Sequence, residues 1–293
     1  MDDLIKVLDG LKGKAVSITF HKSADIDAVS SAFALQRYIG GEIVVADELD
    51  PEAQIFAKEM NIHFADELRD YIIVVDSHAP TLLTVDHAYL IIDHHRLMER
   101  SIPADYSFIF PEAAATAEIL ALALPRIDKQ SARALAAGIL SDTARFKVAG
   151  PRTFEAFAKM RRICGAEYKD LLKLAFPQIS KELRLEIIED MRNAEIIEAG
   201  RYLIAVVNAR SLGLTASALT EIGIDVAIAY GDGKMSVRGG TWNPIHLGEL
   251  VNTVAKETGG RGGGHFGAAG MFYTSEESVR RLVEELKRRL SAE

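Results

Sequence analysis

Three separate β-branched runs in this chain each end in a side chain of the kind that binds metal ions. Val16-Ser17-Ile18-Thr19-Phe20 runs into His21, with Asp25 and Asp27 just beyond. Tyr71-Ile72-Ile73-Val74-Val75 runs into Asp76, and Tyr89-Leu90-Ile91-Ile92 into Asp93-His94-His95. Short runs of this composition predict buried strands. Parallel strands place their C-terminal ends along one edge of a sheet, where open α/β sheets bind ligands. Carboxylates and imidazoles far apart in sequence are therefore expected to converge. A set of that composition suits divalent cations and points to metal-assisted hydrolysis.

The rest of the first half alternates in the same way. Leu4, Val7, Leu8 and Leu11 predict a short leading helix, and a second helix is expected over 28–39, stopped by Gly40-Gly41. A strand over 43–46 and a helix opening at Pro51 follow. Such βαβ alternation implies a doubly wound parallel sheet. From Pro111 to Lys173 the pattern turns helical, over 114–124, 131–140 and 153–164. Residues 179–199 read as one long charged helix. Strands are then expected over 202–208, 225–230 and 234–238, the last two joined by the hairpin signal Gly231-Asp232-Gly233. A helix over 246–258, a glycine-rich loop over 259–270 and an amphipathic helix over 276–290 complete the chain. The expected fold class is α/β: an N-terminal doubly wound parallel-sheet domain over 1–178, a helical connector over 179–199 and a smaller α/β C-terminal domain over 200–293.

Composition narrows the function. A net charge of -8 argues against a broad cationic surface for long duplexes and leaves room for a small anionic substrate. The single cysteine, Cys164, excludes an internal disulfide, cysteine-based zinc sites and iron–sulfur clusters within one chain. No apolar run is long enough to span a bilayer, and Met1-Asp2-Asp3 does not open a signal peptide. The expected location is the cytoplasm.

Within the ligand-type residues, Asp25 and Asp27 stand two apart, on one side of an extended segment. Asp25 reads equally as the cap of the helix that follows. Asp76, alone at a strand end, is either a cap or the carboxylate that bridges two ions. Two divalent ions about 3.5–4 Å apart can activate water and stabilise in-line displacement at phosphorus. Gly259-Gly260-Arg261-Gly262-Gly263-Gly264-His265 is either a tight turn or a nest of backbone N–H groups for an anion. Asp86 and His87 are given no role.

These residues carry a resemblance. His21-Lys22-Ser23-Ala24-Asp25-Ile26-Asp27-Ala28 resembles the first motif of the DHH phosphoesterase superfamily, Asp76 fits its second, and Asp93-His94-His95 is similar to its third. Gly138-Ile139-Leu140-Ser141-Asp142-Thr143-Ala144-Arg145-Phe146 resembles the fourth, and Gly262-Gly263-Gly264-His265 the signature of the associated C-terminal domain. The motifs span nearly the whole chain. Ser23-Ala24 stand where the family commonly has Asn-Pro, and Ile26 where it has Gly.

The resemblance implies one ion held by His21, Asp25 and Asp76, and a second by Asp27, Asp76, His94 and Asp142. Asp93 would orient the histidines, and His95 would lie near the substrate phosphate or the bridging water. Manganese is the implied metal, with magnesium or cobalt as alternatives. Arg238 would grip a non-scissile phosphate, helped by the glycines, while His265 would touch a phosphate or base. Arg145 is a second phosphate candidate, its alternative being a salt bridge on a helix surface.

Chain length matches the compact branch of the family, the oligoribonuclease and 3′-phosphoadenosine-5′-phosphate phosphatase type. Short RNA or DNA, linear dinucleotides and 3′,5′-bisphosphate nucleotides are the implied substrates, and a homodimer is common in that branch. A RecJ-like 5′ exonuclease acting on single strands is the rival enzyme. It calls for a cationic track with stacking aromatics, whereas aromatic residues make up 7% of this chain. A pyrophosphatase reading conflicts with the glycine signature. A non-enzymatic partner in a replication complex would have lost ligands, and this chain keeps the full set. The basic groups Arg161-Arg162, Arg280-Arg281 and Lys287-Arg288-Arg289 alternate with acids and read as solvated helix faces. Trp242 is expected to pack under the second domain, or else to stack on a base near Arg238.

Overall fold

The computed structural model describes residues 1–45, 47–96, 100–264 and 266–291. The chain folds as two compact units, Met1–Ile179 and Ser180–Glu293.

In the first unit, β1 (Val16–Thr19), β2 (Glu42–Ile43), β3 (Tyr71–Val75), β4 (Ala88–Asp93) and β5 (Ala104–Ile109) form a sheet in the order β2-β1-β3-β4-β5. Every pairing is parallel. The chain leaves β1 to one side to form β2, then crosses back to β3. The C-terminal ends of β1 and β3 therefore flank the point where strand order reverses, the position at which open α/β sheets hold ligands.

Alternation along the strands divides the core. Ile18, Ile73, Val75, Leu90 and Ile92 pack with α1 (Asp2–Gly10), α2 (Ile26–Ile39), α3 (Pro51–Glu59), α4 (Thr116–Ala123), α5 (Lys129–Asp142), α6 (Pro151–Cys164) and α7 (Tyr168–Ala175). Val74 and Ile91 face the other way, onto Leu83 and Ile102, in a cluster with no helical residue. The sheet is parallel as expected, but its helices gather on one face. Among the described residues, no helix links β3 to β4 or β4 to β5. Strand β5 has no counterpart in the sequence reading. It is an edge strand with exposed Asp105, Tyr106 and Ser107, so its apolar pattern is faint.

Helix α2 is buried without interruption from Ile26 to Leu35. Its small residues let α5 cross closely. A Cβ on Gly138 would lie 2.2 Å from Ser30 Oγ and 2.9 Å from Ala117 Cβ, so glycine is required where α5 meets α2 and α4. That crossing fixes the far end of α5, four residues on, at Asp142.

The second unit contains α8 (Lys181–Arg192), β6 (Glu195–Ala199), β7 (Tyr202–Asn208), α9 (Leu212–Glu221), β8 (Val226–Gly231), β9 (Lys234–Gly239), α10 (Leu247–Thr258), β10 (Arg261–Gly264), β11 (Ala268–Phe272) and α11 (Glu277–Leu290). Its sheet runs β10-β11-β9-β8-β7-β6, antiparallel except for β7 and β8, which α9 joins as a crossover. Asp232 and Gly233 turn the β8–β9 hairpin at φ +47° and +72°, the two left-handed positions of a type I′ turn.

Two expectations are corrected here. The charged segment 179–199 is not one helix. Helix α8 ends at Arg192, and Gly200 at φ +62° turns β6 back onto β7. The β-branched pair Ile196-Ile197 decides for strand where charge content suggested helix. Helix α8 is also tied into the second unit, since Asp190 accepts from Arg210 N at 3.1 Å. Residues 261–264 are not a loop but strand β10, paired with β11. Glycine fits there because helix α10 comes close: a Cβ on Gly262 would lie 2.9 Å from Val251 Cγ1.

Candidate metal centre

Asp76 ends β3 at φ +60°, a left-handed conformation that aspartate tolerates better than most residues. Its buried carboxylate faces two histidines. Oδ2 lies 3.5 Å from His21 Nε2, and Oδ1 lies 3.4 Å from His94 Nε2. Thr116 Oγ1 donates to the same Oδ1 at 2.9 Å.

Among the described residues, three ligand-type groups meet around this residue. His21, Asp25 and Asp76 offer atoms within 4.8 Å of one another, as do Asp27, His94 and Asp142, and Asp76, Asp93, His94 and His95. His21, just past β1, donates Nδ1–H to the Lys22 carbonyl at 2.9 Å, which turns Nε2 toward Asp76. Asp25 caps α2 by accepting from Ala28 N at 3.1 Å, so the cap and the ligand-type position are the same residue. Asp27, fully buried, accepts from Thr116 N at 2.7 Å and Ala117 N at 2.8 Å, which places its carboxylate at the positive end of α4. Asp142 closes α5, where outward carbonyls disfavour a negative charge, and its Oδ2 lies 3.2 Å from His94 Nε2.

The electrostatics follow from this crowding. Burial, then Asp76 and Asp142, push the Asp27 carboxyl well above its ordinary value. Burial pushes Asp142 up to about 7; Asp25 and Asp76 add to the shift and His94 opposes it. For the imidazoles burial acts downward but is overcome: Asp76 and Asp25 raise His21 to about 9, and Asp142 and Asp76 raise His94. Burial would raise Asp76 too, yet His21 and His94 hold its carboxyl well below the ordinary range. Burial and neighbouring carboxylates thus favour the protonated forms of Asp27 and Asp142. A donor set of carboxylate oxygens and imidazole nitrogens fits divalent cations.

Asp93 serves its neighbours. Its Oδ1 accepts from His94 N at 2.7 Å, His95 N at 3.0 Å and His95 Nδ1 at 2.7 Å. Its Oδ2 pairs with Nδ1 of His78, a buried residue that the sequence reading passed over. One carboxylate thus fixes the Asp93–His95 turn and the imidazole of His78. His95, a third exposed, stands 3.9 Å from Asp76 through Nδ1. Thr116 was also missed. The signal for His78 was its place two residues after Asp76; Thr116 had none, because its role depends on α4 arriving from a distant part of the chain.

Arg145 lies beyond the end of α5, in a run of three left-handed residues, Ala144, Arg145 and Phe146, at φ +46°, +60° and +72°. Its guanidinium stacks 3.9 Å over the Phe176 ring, and it draws down Glu52, which burial raises. It is therefore not a residue of a helix surface. In the second unit, Arg238 sits near the end of β9, opposite Ala268 of β11 and Ala227 of β8. Gly263 shares the sheet face of Arg238, with open space where its side chain would be, whereas Gly262 and Gly264 face the other way. His265 lies outside the described residues.

A parallel sheet carrying acidic and imidazole groups at its reversal point defines the frame of a metal-dependent hydrolase. Residues 15–139 match the model of the DHH family N-terminal domain, and residues 199–292 match the DHHA1 domain. The chain belongs to the DHH superfamily of phosphoesterases, whose members are metal-dependent enzymes.

An uncharacterised protein of Methanocaldococcus jannaschii is 26% identical across 96% of this chain and 94% of its own length. A cyclic-di-AMP phosphodiesterase of Geobacillus thermodenitrificans is 28% identical across 62% of this chain; the match spans 32% of that longer protein. Among solved structures, an exopolyphosphatase-related protein from Bacteroides fragilis shares the fold with a TM-score of 0.75 at 16% identity, covering 99% of this chain and 96% of that one. RecJ from Thermus thermophilus, in complex with Mn2+, aligns with a TM-score of 0.55 at 14% identity, covering 100% of this chain and 54% of RecJ. Among the described residues, no helix is long and apolar enough to cross a membrane.

Proposed function

We propose that this protein is a manganese-dependent phosphohydrolase of short oligonucleotides, linear dinucleotides or 3′,5′-bisphosphate nucleotides. The observation that carries the reading is the division of Asp76, one oxygen toward His21 and the other toward His94. His21, Asp25 and Asp76 would hold one cation; Asp27, Asp76, His94 and Asp142 would hold the second. When bound, such a pair lowers the pKa of water and neutralises charge developing on a phosphoryl group.

The remaining roles belong to the chain. Asp93 keeps His95 oriented through its 2.7 Å contact, so that the other ring nitrogen can face a phosphate oxygen or the attacking water. Thr116 fixes Asp76, and the amides of α4 fix Asp27. Arg238 supplies the forked donor suited to a non-scissile phosphate, with the open face at Gly263 beside it. Manganese is favoured by the mixed oxygen and nitrogen donors, and magnesium and cobalt remain the alternatives. A relative named as a cyclic-di-AMP phosphodiesterase supports a nucleotide phosphodiester as the substrate class.

The test is a manganese-supplemented comparison of catalytic efficiency on linear dinucleotides, longer single strands, 3′,5′-bisphosphate nucleotides and pyrophosphate. Short nucleotide substrates should lead. Preference for pyrophosphate, or for strands many nucleotides long, would reject the reading.

A further inference from the structure

Glu118 carries a buried carboxyl that the proposed chemistry leaves unused. It stands in the first turn of α4, 1% exposed, and its side chain turns back along the chain. Its Oε2 accepts from Ala114 N at 3.2 Å and from Thr153 Oγ1 at 2.7 Å. Thr153, buried in the first turn of α6, accepts in turn from Gly150 N at 3.1 Å. Taking a carboxyl out of water costs free energy that hydrogen bonds of this kind do little more than offset. Packing alone would be served as well by an apolar side chain of similar volume.

The start of α4 is what this side chain holds. The N-cap, Ala115, makes no side-chain cap. The first amides of the helix, Thr116 N and Ala117 N, go instead to the Asp27 carboxylate, at 2.7 and 2.8 Å. Glu118 supplies the returning half of a capping box, reaching past the N-cap to Ala114. The segment pinned in this way, 113–117, meets two more ligand-type residues. The Ala113 carbonyl accepts from His94 Nδ1 at 3.3 Å, and Thr116 Oγ1 donates to Asp76 Oδ1 at 2.9 Å. Side chains from α2 and from the ends of β3 and β4 thus take their bearings from one short stretch of chain. Asp27, Asp76 and His94 all belong to the set assigned to the second cation.

We infer that Glu118 is a positioning residue of the metal centre. By pinning the 113–117 segment it sets the mutual placement of Asp27, Asp76 and His94. The inference rests on the divalent-cation reading of the centre and deepens it. Glu118 acts through the backbone of the segment and not through a bond to an ion. A site of this kind binds tightly when its donors are held in place before the ion arrives, by side chains that are themselves locked.

The experiment is a calorimetric titration of the full chain with manganese, at a temperature well below the melting transition of each variant. Glu118→Ala should weaken binding roughly tenfold, the low end of the loss expected when support behind a metal ligand is removed. Glu118→Gln keeps an oxygen able to accept from both Ala114 N and Thr153 Oγ1, and should restore most of the affinity. Where Glu118→Ala does not fold, Thr153→Val replaces it, because it withdraws the hydroxyl from Glu118 and keeps the side chain's shape; it should weaken binding in the same direction. A residue that serves the fold alone would lower the melting temperature on truncation and leave the affinity of the folded protein unchanged. That result would overturn the inference, as would a Glu118→Gln variant that binds no better than Glu118→Ala. A wild type that binds no manganese would bring down the cation reading itself, and the inference with it.

Discussion

Asp76 and His94 lie 3.4 Å apart, carboxylate Oδ1 to imidazole Nε2, although they come from the ends of different strands. The other oxygen of Asp76 lies 3.5 Å from His21 Nε2. Asp76 thus faces a histidine with each of its oxygens. The left-handed backbone at φ +60° that accompanies this arrangement is one that asparagine also adopts readily.

Asp76→Asn should therefore keep the fold and lose manganese-dependent hydrolysis by at least about a thousandfold, as expected when a shared ligand loses its charge. Circular dichroism and steady-state rates on a dinucleotide decide the matter. Turnover near wild type in the folded variant would remove Asp76 from the shared position.

Manganese affinity should rise with pH. In the ion-free fold Asp142 is raised to about 7 and His21 to about 9. A group raised on folding contributes its stability in full below its unfolded pKa and loses it as pH climbs through the folded one. The ion-free protein should thus lose thermal stability from about pH 4 to 9, first through Asp142 and then through His21. Asp76, held low, loses its contribution only in acid, outside this window. Manganese needs the deprotonated forms, so binding should release protons and tighten between about pH 6 and 9. Calorimetry in buffers of different ionisation enthalpy measures the release; binding that ignores pH would contradict it.

His78→Ala should lower activity without changing the number of manganese ions bound. Asp93 would lose its Oδ2 partner and hold His95 less firmly. Removing a partner of this kind from a metal site costs roughly tenfold to a hundredfold in activity or affinity. Metal analysis of the purified variant should still find two ions per chain, with the loss appearing in kcat. Loss of an ion would instead make His78 part of the binding set.

Gly138→Ala should destabilise the first unit by about 1–3 kcal/mol, because the added methyl meets Ser30 Oγ at 2.2 Å and reaches 3.0 Å from Asp27 Oδ1. The same displacement should weaken manganese binding, since it moves both Asp27 and the helix that ends in Asp142. Thermal melts with and without manganese separate the two effects. An unaltered melting temperature would show that α5 can shift at no cost.

Legibility in the sequence was uneven for identifiable reasons. The strands before His21, Asp76 and Asp93 were readable because buried parallel strands are continuously apolar. Edge strand β5 was not, since Asp105, Tyr106 and Ser107 dilute its pattern. Strand β6 hid behind two glutamates, and β10 behind glycines whose purpose is set by a helix packed against them. His78 and Thr116 act through partners brought in by tertiary structure, which a linear reading cannot pair. Trp242 misled in the opposite sense: a large apolar residue implies burial, and this one stands in the open.

Asp27 ties the candidate metal centre to the start of a helix. Its carboxylate accepts the amides of Thr116 and Ala117, so anything that draws on its lone pairs is felt by the first turn of α4. If Asp27 holds a cation as proposed, those two amide protons would report its occupancy. Their exchange with deuterated solvent would register filling or emptying of the centre from the backbone alone, with no substrate and no label.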